Sequence, residues 1–204
     1  MKTIGVTGGV GSGKSEVLSY IKNHYRAIVL LADEAARQLQ EPGGPCYEGV
    51  LAILGEADTG RPLTGEDGFI IREEMAARIF ADGNLLARIN GLVHPAVLQY
   101  IEDRIGEARR EDLCDFFVLE AALLIETGFA DRLDSMWYIY CDPEERARRL
   151  AVSRGYTKEK TERIMKAQLS EDRFRSACDV VIDNSGDFAA TCRQVDRVLS
   201  GREQ

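Results

Sequence analysis

The amino-acid sequence predicts an α/β protein in which a parallel sheet is covered on both faces by helices, and three observations carry that reading. Short apolar stretches alternate with amphipathic helical stretches along most of the chain, the rhythm of parallel strands joined by helical crossovers. The first apolar stretch runs directly into the octet GGVGSGKS, Gly8 to Ser15, and then into Val17, Leu18 and Ile21 at helical spacing. The alternation breaks once, between Glu41 and Asp115.

Each element has a local justification. Residues 3–7, 27–31, 116–119, 136–140 and 180–182 are short, apolar and partly β-branched or aromatic, as strands buried on both faces must be. Helical periodicity covers 15–23, 33–40, 95–110, 143–153, 157–177 and 188–199. The interrupted region opens on Glu41-Pro42-Gly43-Gly44-Pro45, a loop composition, and continues with helices over 71–80 and 85–92 and no convincing strand. It reads as a helical insertion carrying a second substrate. One domain is expected over 1–204. Its core covers about 1–41, 115–143 and 177–204, the inserted acceptor part about 42–114 and a lid about 144–176.

The 204 residues are 45% hydrophobic, enough for one substantial core. A net charge of −8 argues against broad adhesion to nucleic acid or anionic membrane and points to small-molecule or protein partners. The five cysteines, 46, 114, 141, 178 and 192, contain no Cys-x-x-Cys pair and read as reduced, mostly buried thiols. The apolar residues before Gly8 are too few for a signal-peptide core, and no run approaches the roughly 18 apolar residues of a membrane span. The expected compartment is the cytoplasm.

Gly8, Gly13, Lys14 and Ser15 satisfy G-x-x-x-x-G-K-[ST], in the strand-then-helix context that gives the pattern its meaning. The glycines let backbone N–H groups turn inward, and the helix N-terminus adds partial positive charge where phosphates lie. Lys14 reaches the β- and γ-phosphates, and the Ser15 hydroxyl ligates the Mg²⁺ that bridges them. Gly11, Ser12, Gly13, Lys14, Ser15 and Glu16 are the expected nucleotide-binding stretch, and the ligand is a nucleoside triphosphate.

Three classes share such a loop. A switch GTPase needs Asn-Lys-x-Asp, which is absent, and the one Asp-x-x-Gly behind a strand, Asp183 to Gly186, comes too late in the chain. A mechanical ATPase is matched only loosely by Phe117-Val118-Leu119-Glu120, and no polymer-binding surface is evident. A small-molecule kinase suits the size and charge. Such an enzyme must exclude water, and residues 146–175 supply a candidate lid: ten Lys or Arg against four acids, an excess of +6 in an acidic chain. The alternative is a solvated basic face. Arg149 and Arg154 are the residues expected at the transferring phosphoryl group, with Arg154-Gly155-Tyr156 as a hinge-like turn.

On the acceptor side, Asp33 follows the second strand and is suited to take a proton from an attacking hydroxyl, or equally to cap the next helix. His94 precedes Pro95, a helix-start signal that puts His94 at an N-cap. The other histidine, His24, falls at a helix end.

Taken in order, Gly8 to Ser15, Ala32-Asp33 with Ala35-Ala36-Arg37, Leu92-Val93-His94-Pro95, Leu123-Leu124-Ile125-Glu126, the basic segment ending at Gln168, and Ala177-Cys178-Asp179 to Asn184-Ser185-Gly186 resemble the dephospho-coenzyme A kinase family over about residues 2–199. The resemblance implies a three-layer P-loop kinase fold with a five-stranded parallel sheet, an inserted helical substrate domain and an Arg-rich lid. It also implies ATP-dependent phosphorylation of the ribose 3′-hydroxyl of dephospho-coenzyme A, with ATP and Mg²⁺ as cofactors. Asp33 would be the general base, with Lys14 and Arg149 beside it in catalysis. Thr7, Asp33, Arg37, His94 and Leu124 would contact the acceptor, and Arg149, Arg154 and Asn184 the nucleotide. Three positions depart from the pattern: Leu31 where the family commonly has Asp, Ala122 where it has Pro, and Arg146 where it has Gln. With Leu31 in place, one carboxylate of the usual pair remains. The rivals are another small-molecule or nucleoside monophosphate kinase and, from a different class, a nucleotide-dependent switch.

Overall fold

The computed structural model describes residues 1–121, 124, 125 and 128–201. Five strands, β1 Lys2–Thr7, β2 Ala27–Leu31, β3 Phe116–Glu120, β4 Ser135–Tyr140 and β5 Val180–Asp183, form one sheet in the order β2-β3-β1-β4-β5. β1 pairs in parallel with β3 and with β4, and β4 with β5. The sheet is the parallel one expected, each strand within about two residues of its predicted bounds. β1 is central because it is apolar on both faces: Ile4, Val6, Phe117, Trp137 and Ile139 around it are fully buried. The connections out of β1 and β3 run to opposite sides of β1. The loop after β1 therefore sits at the topological switch point, where open α/β sheets place their ligands.

The chain divides into two compact units, Met1–Leu30 with Ala108–Gln204, and Leu31–Glu107. In the sheet unit, α1 Lys14–His24, α6 Pro143–Arg154, α7 Lys158–Lys166, α8 Glu171–Ala177 and α9 Phe188–Leu199 accompany the strands. Tyr20 and Tyr25, in and just after α1, both donate to Asp196 Oδ1 on α9, at 2.8 and 2.6 Å. These bonds to a carboxylate, with burial, hold the Tyr20 hydroxyl protonated, its pKa pushed up to about 12. The helix behind the glycine loop is thereby fixed to a second helix.

The helical unit contains α2 Ala32–Leu39, α3 Tyr47–Gly55, α4 Arg72–Ala81 and most of α5 Gly83–Arg110. Among its described residues, extended pairing is limited to the isolated antiparallel bridge Thr64–Ile70. A buried ion pair locks α4: Arg78 Nε donates to Glu74 at 2.9 Å, and the remaining guanidinium nitrogens donate to the carbonyls of Leu54 and Arg61. All three guanidinium nitrogens are used, as a buried arginine requires.

Two expectations are corrected here. Residues 85–92 and 95–110 belong to one helix, α5, with Pro95 inside it, so His94 is not an N-cap. Leu85, Ile89, Val93, Val97 and Ile101 form a buried stripe at intervals of four that runs straight past the proline. An interior proline costs about 3 kcal/mol, and burying those side chains returns about 1.5–3 kcal/mol each. The lost bond also falls on the wet side, since Gly91, His94 and Pro95 are all exposed, leaving the Gly91 carbonyl to water. Second, 157–177 is two helices, α7 and α8. Ser170 caps α8 by accepting from the Arg173 amide, and Gln168 is left in the break.

Candidate active site

The loop between β1 and α1 is built for anions. α1 begins at Lys14 with Gly13 in the left-handed conformation, φ 84°, and no side chain caps the helix. Its first-turn N–H groups therefore lack side-chain acceptors, the arrangement that attracts phosphate. Gly13 is required twice over, because a Cβ there would also collide with the Asn184 side-chain amide.

That amide fixes the loop from behind. Asn184, at the end of β5, is 1% exposed; its Nδ2 donates to the Ser12 carbonyl at 2.9 Å, and its Oδ1 accepts from Thr191 Oγ1 at 2.9 Å. Its backbone carbonyl accepts from Arg149 Nη2 at 2.9 Å. Lys14 Nζ donates to the Gly8 carbonyl at 2.8 Å and stands 3.7 Å from Glu120 Oε1, both side chains being 18% exposed.

In front of the loop lies a cavity of about 560 Å³. Gly11, Gly13, Lys14, Ser15 and Glu16 line it with Arg149 and Arg154 of α6, so seven of the nucleotide residues expected from sequence come together. Glu145 organises the arginines: its carboxylate accepts from Arg148 and Arg149 at 2.7–2.8 Å, and these bonds hold its pKa down at about 2. Lys160 Nζ of α7 sits 3.9 Å from the ring centroid of Tyr156, in the turn after α6, so part of the basic segment is held by an aromatic face.

Four expected contacts are placed elsewhere. Ser12 and Asn184 are each 1% exposed: the Ser12 side chain is buried within the loop, and the Asn184 side chain is packed behind it. Thr7 and Leu124 are each 2% exposed, packed rather than presented to an acceptor. For Thr7 the cause is the central strand, where it faces Tyr138 across the ladder. Ala122, Leu123 and Glu126 of the motif around Leu124 lie outside the described residues.

In the helical unit, α2 follows β2 without a loop. Leu31 occupies the N-cap with no side-chain cap bond, and Asp33 is in the first turn, exposed. Among the described residues its carboxylate has no hydrogen-bond partner, so it is not the cap. Arg37, one turn on, donates from Nε to the Asp33 carbonyl at 3.2 Å and borders a cavity of about 310 Å³ with Arg72, Phe69, Ile70 and Met75. His94 is exposed on α5.

Sequence reasoning did not assign Glu120, Arg148, Arg146 or Gln168. Glu120 ends four apolar residues, a signal visible in the sequence; the other three take their meaning from contacts distant along the chain.

The donor set fits a nucleoside triphosphate: an uncapped helix start, one lysine and three arginines around one cavity. Among the described residues no three or more His, Cys, Asp or Glu gather to hold a metal. The side-chain oxygens lining the cavity are those of Ser15, Glu16, Glu120 and Ser153. That sparse set suits Mg²⁺, which keeps waters and takes phosphate oxygens.

Fold and loop together define a nucleotide-binding protein of the phosphate-loop class, and its relatives make it a kinase that uses ATP. The model of the dephospho-CoA kinase family matches residues 2–190. A dephospho-CoA kinase of Geobacter sulfurreducens is 35% identical over 99% of both chains. The crystal structure of TT1252 from Thermus thermophilus superposes with a TM-score of 0.76 at 26% identity, covering 100% of this chain and 98% of that one. The dephospho-CoA kinase from Campylobacter jejuni gives a TM-score of 0.74 over the whole of both chains at 18% identity, a likeness of fold. The chain belongs to the dephospho-CoA kinase family.

Proposed function

We propose that this kinase transfers the γ-phosphoryl group of ATP to the ribose 3′-hydroxyl of dephospho-coenzyme A, the last step of coenzyme A synthesis. Family membership over nearly the whole chain carries the reading. Gly11 to Ser15 hold the phosphates through backbone N–H groups, and Lys14, Arg149 and Arg154 offset charge on the equatorial oxygens. Ser15, with Glu120 nearby, would hold Mg²⁺, which when bound neutralises phosphate charge. Asp33 takes the proton of the 3′-hydroxyl, a role its uncommitted carboxylate leaves open. Arg37, one helical turn or about 6 Å further along α2, suits the 5′-diphosphate of the same acceptor. His94 and the helices of 42–114 serve the acceptor, and 144–176 closes over ATP.

The net charge of −8 favours a small-molecule acceptor over nucleic acid or an anionic membrane. No described helix is long and apolar enough to cross a membrane. The five cysteines are free thiols, which suits a reducing cytoplasm; burial raises every thiol pKa, that of Cys178 to about 11, which keeps the thiols protonated and weakly reactive.

ADP release measured over a panel of acceptors tests the reading. Dephospho-coenzyme A should drive turnover and emerge phosphorylated at the 3′ position. Strong turnover with a nucleoside monophosphate and none with dephospho-coenzyme A would overturn it. Tight nucleotide binding without any soluble acceptor would favour a switch.

A further inference from the structure

The glycine loop is tied at its tip as well as from behind. Arg146 of α6 donates from Nε to the Val10 carbonyl at 3.0 Å and from Nη2 to Gln168 Oε1 at 2.7 Å. Gln168 Oε1 in turn accepts from the Val10 amide at 3.3 Å. Both backbone groups of one loop residue are thus held by one side-chain pair. The fit is close: a Cβ on Gly9 would collide with the Arg146 guanidinium.

Three elements meet at this knot: the loop, α6 and the break between α7 and α8. Gln168 is that break's own residue, at the end of the basic stretch that carries Lys158, Lys160, Arg163 and Lys166. Gly8, Gly9, Gly11 and Gly13 give the loop much backbone freedom to lose on binding. Ties at Val10 spend that entropy in advance. The same ties make the position of α7 depend on the shape of the loop.

We propose that Arg146 and Gln168 are positioning residues for ATP: they pre-shape the loop tip and couple nucleotide occupancy of the loop to the order of the α7–α8 segment. The fork geometry matters as well as the charge, because Arg146 makes its two bonds in different directions from a planar group, which a lysine ammonium does not reproduce. The proposal rests on ATP occupying the loop cavity and not on the identity of the acceptor.

The test uses R146A, R146K, Q168A and the double variant R146A/Q168A in the whole chain. KM for ATP should rise on the order of tenfold in each single variant, with KM for dephospho-coenzyme A unchanged. The double variant should be little worse than either single, as for partners in one knot. R146K should behave like R146A. Trypsin should cut between residues 154 and 166 more slowly in the wild type when a non-hydrolysable ATP analogue is present, and that protection should vanish in Q168A. Gln168 is a half-buried residue in a break between helices, so Q168A keeps the test available if R146A melts early. Unchanged KM for ATP in Q168A, additive effects, full rescue by R146K, or protection that survives Q168A would each overturn the coupling. Protection is read without any acceptor, so its failure is distinct from failure of the acceptor assignment.

Discussion

Two strand-to-helix turns carry the proposed chemistry, and they are built in opposite ways. Between β1 and α1 the chain spends six residues, four of them glycine, and the loop is held by side chains from far along the sequence: Asn184 on Ser12, and Arg146 and Gln168 on Val10. Between β2 and α2 there is no loop at all, and Asp33 stands in the first helical turn with its carboxylate exposed and uncommitted. The first turn binds with backbone and must be shaped by others; the second presents one side chain and needs only a helix to carry it. A site made of backbone tolerates many sequences on its surface and few beneath it, whereas a site made of one carboxylate is lost with that carboxylate.

Within the first turn and its supports, the largest effect should come from removing charge. K14A should lower kcat/KM for ATP by about 10²–10³-fold, the cost of losing one donor to developing charge, with little change in melting temperature; steady-state kinetics and a thermal melt check it. A retained rate would move the phosphate contact to Arg149 or Arg154.

A smaller effect should follow from loosening the scaffold beneath the same loop. N184A leaves the Ser12 carbonyl without its buried partner, while the Thr191 hydroxyl keeps the Asp183 carbonyl at 3.1 Å; it should cost about 1–3 kcal/mol and raise KM for ATP while sparing KM for the acceptor. Urea unfolding and ATP titration read the two parts separately. Equal losses on both substrates would mean that Asn184 supports the sheet unit as a whole.

The smallest effect lies at Glu145, whose folded pKa is depressed by Arg148 and Arg149. A depressed carboxylate contributes its stability above the unfolded value, about 4.3, and loses it as the pH falls through the folded value of about 2. Wild type should therefore exceed E145Q in urea midpoint at neutral pH, with the difference shrinking between about pH 5 and pH 2. A constant difference would assign the effect to packing.

The same contrast explains what the sequence disclosed. The strands were legible because mostly apolar runs of three to five residues end in turn or acidic residues, and the loop because its glycines, lysine and serine are adjacent. Asp33 was legible as a candidate by its place after a strand, while its freedom from capping required knowing that α2 starts at Ala32. Pro95 misled because its local signal is strong, and the buried stripe that overrides it, Leu85 to Ile101, extends over more than four helical turns. Gln168 and Arg146 carry no local signal; their partner Val10 lies 158 and 136 residues away.

The central claim is that the exposed carboxylate after β2 performs the acceptor chemistry while the loop after β1 binds the donor, and D33N tests it most directly. ATP affinity, measured by direct titration, should be unchanged, and kcat with dephospho-coenzyme A should fall by about 10²–10⁴-fold, the usual worth of a general base. Full turnover in D33N would contradict the account and leave Asp33 as an ordinary acidic residue in a helix's first turn.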